Sequence, residues 1–217
     1  MKENVIDKEN AQIFFQDNNY IIISEAISKD VVGFIYNYFQ VKRDAAKILL
    51  DTKNISPFDE SWGSWKDAQN PNTFSIYGDI AMDTLMIRIL PLVQKITKMS
   101  LISTYSYATM CKHGEDSVRY NDSVASEIEC IINLGGDNWP IFLEHSEEKN
   151  KESIEVNLNP GDLLVYKVSL IEYWRNSFEG NDCGQVFCHY NNANSSQETV
   201  NKFDTRPSIG LPAWMKK

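Results

Sequence analysis

The residue types most often used in catalysis are few in this chain, and their spacing alone points to no familiar reaction. There are three histidines. His113 and His145 lie in polar stretches and are expected at the surface, whereas His189 lies on a predicted strand, where a core position and a pocket position fit equally well. Glu127 and Glu129 are spaced like a carboxylate pair, although two charges on an exposed strand face explain that spacing more simply.

Sequence motifs exclude several other classes of function. No GxGxxG, GxxxxGK[ST] or GxSxG pattern occurs, so nothing supports a dinucleotide site, a P-loop or a hydrolase nucleophile elbow. The four cysteines include no CxxC pair, which disfavours both a disulfide framework and a structural zinc site.

The composition is that of one acidic folded domain. The 217 residues are 42% hydrophobic, which is enough to bury a sizeable core, and the formal charge of −9 repels phosphate groups. Nucleic acid and membranes are therefore not expected partners, and the sequence does not say which small molecule or protein is. Apolar runs fall far short of the roughly 20 residues of a membrane helix. The first nine residues show no secretory signal, so a cytoplasmic location is expected.

Helical periodicity dominates the first hundred residues. Ser28 can cap a helix that continues to about Leu50. Val31, Phe34, Ile35, Tyr38 and Val41 recur in it at helical spacing and are expected to face a core. Residues 80–97 repeat the pattern and predict a second helix.

Three other features of this region lie within or beside those helices. Pro91 is expected to kink or restart the second one. Residues 14–23 end in an aromatic and β-branched run, which predicts a short buried strand. Residues 56–78 are rich in Pro, Asn, Ser and Trp without a clean period, which predicts an ordered loop.

After residue 100 the pattern changes to the period of two that is typical of strands. Asn159-Pro160-Gly161-Asp162 predicts a type II turn between two of them. The predicted strands cover residues 101–111, 127–134, 139–144, 153–158, 162–167 and 183–190. Many short strands that follow a helical region favour an α+β fold, mainly β, with helices against a barrel or sandwich.

The chain is predicted to form a single domain over residues 1–217. Residues 1–100 supply helical support with a short strand, and 101–191 form the β core. Residues 192–217 are a C-terminal tail, in which Pro212-Ala213-Trp214 is expected to dock back on the fold.

An ordered series of short segments resembles the 2-oxoglutarate/Fe(II)-dependent oxygenases of the prolyl-4-hydroxylase-like group. The similarity runs from about Trp62 to Asn191 and is greatest to small stand-alone members of the kind found in cyanobacteria and their phages. The resemblance implies a double-stranded β-helix, the cupin-like jelly roll. The matching segments are Tyr105-Ser106-Tyr107-Ala108, residues 114–122, Glu127-Ile128, Leu134-Gly135-Gly136, Trp139-Pro140-Ile141, Pro160-Gly161-Asp162, Tyr173-Trp174-Arg175 and Gln185-Val186-Phe187.

The family resemblance also implies where a metal site would lie. Its members hold Fe(II) with a His-x-Asp step on one strand and a distal His on a later strand, and residues i and i+2 of a strand share a face. In this chain the His-x-Asp step is Tyr120-Asn121-Asp122, and the distal His is Tyr173. The expected ligand positions are therefore Tyr120, Asp122 and Tyr173, with only Asp122 of the usual type.

The cosubstrate position departs from the family pattern as well. A basic residue about ten positions after the distal His usually binds the far carboxylate of 2-oxoglutarate, and residues 181–188 contain none. Arg175 and His189 are the substitutes nearest in sequence. The wider set of cosubstrate candidates is Arg175, Gln185, His189 and Tyr107.

Two hypotheses of different classes follow. The first is a non-catalytic homologue with a degenerate metal site that binds or scaffolds a partner and needs no cofactor, the tyrosines packing together where iron would lie. The alternative is an active oxygenase of a peptidyl or small-molecule substrate, which uses Fe and 2-oxoglutarate at an atypical phenolate site. A third reading has the pocket bind a small carboxylate through Arg175 without turning it over.

Overall fold

Helices dominate the first hundred residues, as the spacing predicts. The computed structural model describes residues 10–65, 73–115, 126–146, 153–194 and 201–217, together with the backbone of 117–120. The elements of the first part are α1 (Ala11–Asn18), β1 (Tyr20–Ile23), α2 (Lys29–Asp51), β2 (Phe74–Tyr77) and α3 (Ile80–Thr97), and short 3-10 helices occur at Glu60–Trp62, Lys202–Thr205 and Ala213–Met215.

The helix α2 buries part of the predicted stripe. Ile35 is buried, and Val31 and Tyr38 are partly buried against the core. Phe34 and Val41, which were expected to face the core, are 72% and 68% exposed. Val32 and Phe39, which neighbour Ile35 on the helix surface, are buried instead, so the buried face is rotated from the predicted one and overlaps it at Ile35.

The helix α3 begins at a well-formed cap and continues through its proline. The side chain of Asp79 accepts the backbone N–H of Ala81 at 2.8 Å, which satisfies a donor at the helix start. The helix does not restart at Pro91, which lies inside one continuous element, and a kink at this residue stays a prediction. Pro91 and Ile87 are both exposed, so water can bind the Ile87 carbonyl that loses its partner. None of the described helices combines the length and apolarity needed to cross a bilayer.

Two further corrections concern the short elements of this region. Residues 14–18 are helical, and the predicted strand is confined to β1, because Asn19 adopts the left-handed conformation (φ 61°) and ends α1. The segment 56–78 is not all loop, since its last part forms β2 at the edge of a sheet.

Strands make up most of the remaining described chain. The elements are β3 (Leu101–Lys112), β4 (Ser117–Tyr120), β5 (Ile128–Gly136), β6 (Ile141–His145), β7 (Ile154–Val156), β8 (Leu163–Lys167), β9 (Ile171–Arg175) and β10 (Asp182–Asn192). The six strands predicted from the period of two are all present. β4 and β9 were not predicted from the pattern, and only the family resemblance drew attention to their residues.

The strands form two antiparallel sheets that enclose a barrel. The larger sheet has the order β1-β8-β5-β10-β3-β2, and the smaller has the order β4-β9-β6-β7. Every strand pair among the described residues is antiparallel. This arrangement confirms the predicted mainly-β jelly roll with supporting N-terminal helices.

The alternation of side chains gives the larger sheet two buried faces. Cys130, Ile132 and Val165 pack on its outer face with residues of α2 and α3. Ile131 and Leu164 face the barrel interior, in a second cluster that includes residues of β6 and β9. A one-residue step along a strand therefore decides whether a side chain meets the helices or the interior.

The predicted turn before β8 is present. Gly161 has φ +93°, and the Asp162 N–H donates to the Asn159 carbonyl at 2.9 Å. A positive φ at the third residue is the conformation for which a type II turn selects glycine.

The C-terminal segment docks on the fold, but through a residue other than the predicted one. Trp214 is 72% exposed, so the 212–214 step is not its anchor. Arg206 is buried and donates to Asp83 Oδ2 at 3.3 Å and to the Thr104 carbonyl at 3.1 Å. A buried guanidinium with oxygen partners on two elements holds this segment in place.

Candidate functional site in the barrel interior

The two tyrosines at the expected ligand positions are brought together by strand pairing. β4 and β9 are antiparallel neighbours, and their register sets Tyr120 directly opposite Tyr173 and Ser117 opposite Arg175. Residues directly opposite in an antiparallel pair are close neighbours. Asp122, the third expected position, lies outside the described residues.

The ring of Tyr173 packs inside the barrel against a second, fully buried tyrosine. The centroids of Tyr173 and Tyr166 are 5.9 Å apart in an edge-to-face arrangement, which is a favourable geometry for aromatic rings. Burial, followed by the nearby charge of Glu129, raises the pKa of Tyr166 well above its usual value. This phenol therefore stays protonated.

Arg175 lies two residues further along β9 and points into the same interior. Its guanidinium donates to the Trp139 carbonyl at 2.9 Å and to Gln185 Oε1 at 2.7 Å. It also lies 4.6 Å from the centre of the Trp139 ring, which adds a cation–π contact. Burial lowers the pKa of Arg175. Arg175 and Gln185, two of the predicted cosubstrate candidates, are thus bonded to each other.

A thiol occupies the position ten residues after Tyr173. Cys183 is buried with Cys111, Trp139 and Phe178, and it pairs in register with Cys111 of β3. Burial raises the pKa of Cys183 to about 12. A neutral thiol therefore lies where the family pattern has a cation.

His189 belongs to a buried stack further along the barrel. Its ring lies 4.1 Å from that of Tyr105, nearly parallel to it. Its Nδ1 is 3.3 Å from Ser126 Oγ and 3.7 Å from Glu129 Oε2. Burial lowers the pKa of His189 to about 3, so the imidazole is neutral at physiological pH.

Glu129 corrects an expectation from the sequence. It was predicted on an exposed strand face together with Glu127, but it is only 3% exposed and faces the barrel interior beside His189. Glu127 is exposed and precedes β5. The two residues therefore do not form a carboxylate pair.

The remaining candidates lie apart from one another. Tyr107 is half-buried on β3, opposite Phe187 of β10. His113 is exposed, as predicted, with Nδ1 at 3.1 Å from the Glu179 carbonyl. His145 is half-buried at the end of β6. Among the described residues, no three His, Cys, Asp or Glu side chains converge as a metal site.

Sequence reasoning missed Tyr166, Tyr105 and Glu129 as lining residues. A signal for them exists, because Glu129 is an even number of residues from Ile131, which faces the interior, and strand parity then places it on the same face. The sequence does not show which of the two alternating sets of strand residues faces the barrel interior.

Comparisons with known proteins agree on the architecture. No family model matches the chain, and no curated protein matches it. Solved structures do. AviO1 from Streptomyces viridochromogenes Tue57 has a TM-score of 0.66 at 11% identity, covering 89% of this chain and 98% of that one.

Two further solved structures are similar to this chain. A prolyl-4-hydroxylase from Pseudomonas putida has a TM-score of 0.59 at 11% identity, covering 85% of this chain and 98% of that one. An oxidoreductase of the 2OG-Fe(II) oxygenase family from Burkholderia pseudomallei has a TM-score of 0.59 at 8% identity, covering 88% and 92%. The chain has the double-stranded β-helix fold that the 2-oxoglutarate/Fe(II)-dependent oxygenases share.

Proposed function

We propose that this chain is a non-catalytic protein of the oxygenase fold, which lacks a histidine-based Fe(II) site and acts by binding or scaffolding a partner. One observation carries the proposal. Tyr120 and Tyr173 lie directly opposite each other on β4 and β9, at the positions where the resemblance implies imidazole ligands. The fold itself is independent of the activity, since one architecture supports many functions.

The donor set at these positions does not fit Fe(II). A neutral imidazole binds the metal directly at neutral pH, whereas a phenol with an ordinary pKa near 10 must first lose its proton. Tyr173 packs against Tyr166, whose own pKa is raised by burial and by Glu129.

The surroundings of Arg175 support the same proposal. Two of its donors are already used by the Trp139 carbonyl and by Gln185. The guanidinium is buried, and any rearrangement that broke either bond would leave a buried acceptor without a partner, at a cost of about 1–3 kcal/mol. These contacts give Arg175 a structural role in the interior.

The direct test is metal and cosubstrate binding by the full chain under anaerobic conditions with excess Fe(II). We expect no stoichiometric iron after desalting, no succinate from 2-oxoglutarate, and no rise in melting temperature with 2-oxoglutarate, because a ligand of the folded state would raise it. Stoichiometric iron together with 2-oxoglutarate decarboxylation contradicts the proposal.

The atypical-oxygenase alternative has an optical signature. A ferric phenolate complex absorbs visible light by charge transfer, and the band disappears with a chelator. Tyr173→Phe removes the described phenol while keeping the ring, so it is the matched control. A band in the wild type that Tyr173→Phe weakens favours the alternative, whereas a colourless protein favours the proposal.

A gain-of-function variant tests the positions themselves. Tyr120→His with Tyr173→His is expected to create Fe(II) binding together with Asp122, because the facial triad is then complete. Asp122→Ala in the same background is the control and should abolish binding. Failure of the double variant to bind, with an unchanged far-UV spectrum, shows that the positions are not equivalent to ligand positions.

A further inference from the structure

A second candidate site lies on the outer side of the larger sheet, away from the barrel interior. It is a cavity of about 280 Å³ between α2 and the edge formed by β2 and β3. Its lining combines three basic residues, one acidic residue and three apolar ones. These are Arg43, Lys47, Lys112, Asp44, Trp65, Phe74 and Met110.

The wall of the cavity is flat, apolar and firmly held. Trp65 lies against Phe74 with ring centroids 4.7 Å apart, and Phe74 also contacts Phe39 at 5.4 Å. Phe74 and Met110 are almost completely buried. Aromatic faces and a thioether favour a planar apolar ligand over an extended polar one.

Arg43 is the charged group at the centre of this wall. Its side chain is 19% exposed. Nε lies 3.0 Å from the exposed carboxylate of Asp44, and Nη1 lies 2.8 Å from the sulfur of Met110. No other described residue accepts a hydrogen bond from the guanidinium. A thioether is a weak acceptor, so a largely buried cation keeps donors for which an oxyanion is the natural partner.

The rim adds further positive charge. Lys47 is exposed and makes no ion pair with a described residue. Lys112 is 3.3 Å from Asp182, and that carboxylate also accepts the Tyr36 hydroxyl. The lining has three cationic side chains and one carboxylate, so its local charge attracts small anions although the protein has a formal charge of −9.

We propose that this cavity binds a small planar organic anion, with its ring against the half-buried Trp65 and its oxyanion on Arg43. The volume of about 280 Å³ lies just below the roughly 300–1,000 Å³ of sites for drug-sized ligands. An aryl carboxylate and an aryl phosphate share this chemistry. The site is on the opposite side of the sheet from the barrel, so it does not depend on whether the barrel binds iron.

Calorimetric titration of the full chain separates the parts of this recognition. The probes are benzoate, phenyl phosphate, neutral benzyl alcohol and inorganic phosphate, each at millimolar concentration. We expect at least one aryl anion to bind roughly tenfold or more tightly than both benzyl alcohol and inorganic phosphate. The tighter of the two aryl anions identifies the head group. Failure of both to bind overturns the proposal, and so does equal binding of all four probes.

A matched pair of variants locates the binding. Arg43→Gln removes the charge in the cavity and should weaken aryl-anion binding by roughly 10- to 100-fold. Arg88→Gln removes a charge from the exposed face of α3 and should leave binding unchanged. Equal losses in the two variants indicate a general charge effect and overturn the proposal.

A second readout keeps the test decisive if Arg43→Gln unfolds. Lys47→Gln changes only an exposed residue and should weaken binding by a smaller factor, about threefold. The indole N–H signal of Trp65, assigned by its loss in Trp65→Phe, should shift on titration with the aryl anion. An unmoved Trp65 signal on saturation places the ligand elsewhere and contradicts the site.

Discussion

Two arginines lie on opposite sides of the larger sheet, and they differ in the quality of their partners. Arg175, inside the barrel, gives hydrogen bonds to two oxygen atoms and lies over the Trp139 ring. Arg43, on the outer face, meets a thioether and the exposed carboxylate of Asp44. The carbonyl and amide acceptors of Arg175 belong to the buried core, whereas Arg43 has one weak acceptor and one carboxylate that is exposed to water.

The same contrast extends to the surroundings of each arginine. Inside the barrel, burial keeps His189, Tyr166 and Cys183 uncharged at neutral pH. In the outer cavity, lysine ammonium groups join Arg43 at the rim. The interior is therefore arranged for the stability of this protein, and the outer cavity for a charged ligand.

The largest expected effect is on stability when the inner arginine is replaced. Arg175→Met keeps much of the volume but leaves the Trp139 carbonyl and Gln185 without their donor. We expect a loss of about 3 kcal/mol in the free energy of unfolding, measured by urea denaturation. A loss below about 1 kcal/mol would contradict the structural role assigned to Arg175.

The next largest effect is the pH dependence of the unfolding free energy that arises from His189. Its pKa is about 3 in the folded protein and about 6.5 in the unfolded chain. The unfolded chain therefore binds the proton first, and stability falls as the pH drops from about 6.5 towards 3. At pH 5 the contribution is about 2 kcal/mol of lost stability. The slope of unfolding free energy against pH should flatten in His189→Phe, and an unchanged slope contradicts the assignment.

A smaller effect is expected from the acceptor of Arg175. Gln185→Leu leaves one guanidinium N–H group buried without its oxygen, at a cost of about 1–2 kcal/mol. Gln185→Glu restores an acceptor and serves as the control. Chemical denaturation should give Gln185→Leu a lower free energy of unfolding than Gln185→Glu. The reverse order would show that the hydrogen bond is not the stabilising contact.

The smallest effect completes the comparison. Arg43→Met removes the outer guanidinium, which has no strong buried partner to strand, so the unfolding free energy should change by less than about 0.5 kcal/mol. The ratio of the Arg175→Met and Arg43→Met effects is thus the sharpest single measure of the difference between the two regions. Equal losses in the two variants would abolish the distinction.

Periodicity predicted the long elements because each has a repeating apolar pattern. α3 has the predicted bounds, 80–97, and α2 begins after the predicted cap, Ser28, and ends one residue beyond the predicted end. β4 and β9 were not predicted from the pattern, although strands of similar length, such as β6 and β8, were. These two strands carry Tyr120 and Tyr173, so only the family resemblance led to the site.

Side-chain environments were less predictable than elements. Glu129 was expected to be exposed, because an alternating strand in isolation does not show which face will be covered. Phe34 and Val41 fit the apolar stripe predicted for the helix, yet both side chains are exposed. In both cases the residue pattern permits two faces, and packing selects one of them.

Residue types at given positions are a property of the sequence alone. It determined that tyrosine stands at 120 and 173, that no basic residue lies in 181–188, and that the chain is acidic. Which partner each arginine meets was decided only by the tertiary structure. Arg175 finds Gln185 on another strand, and Arg43 finds Met110, which lies 67 residues away in the chain. Contacts between distant segments depend on how the sheets close and how the helices pack, and no local pattern encodes that closure.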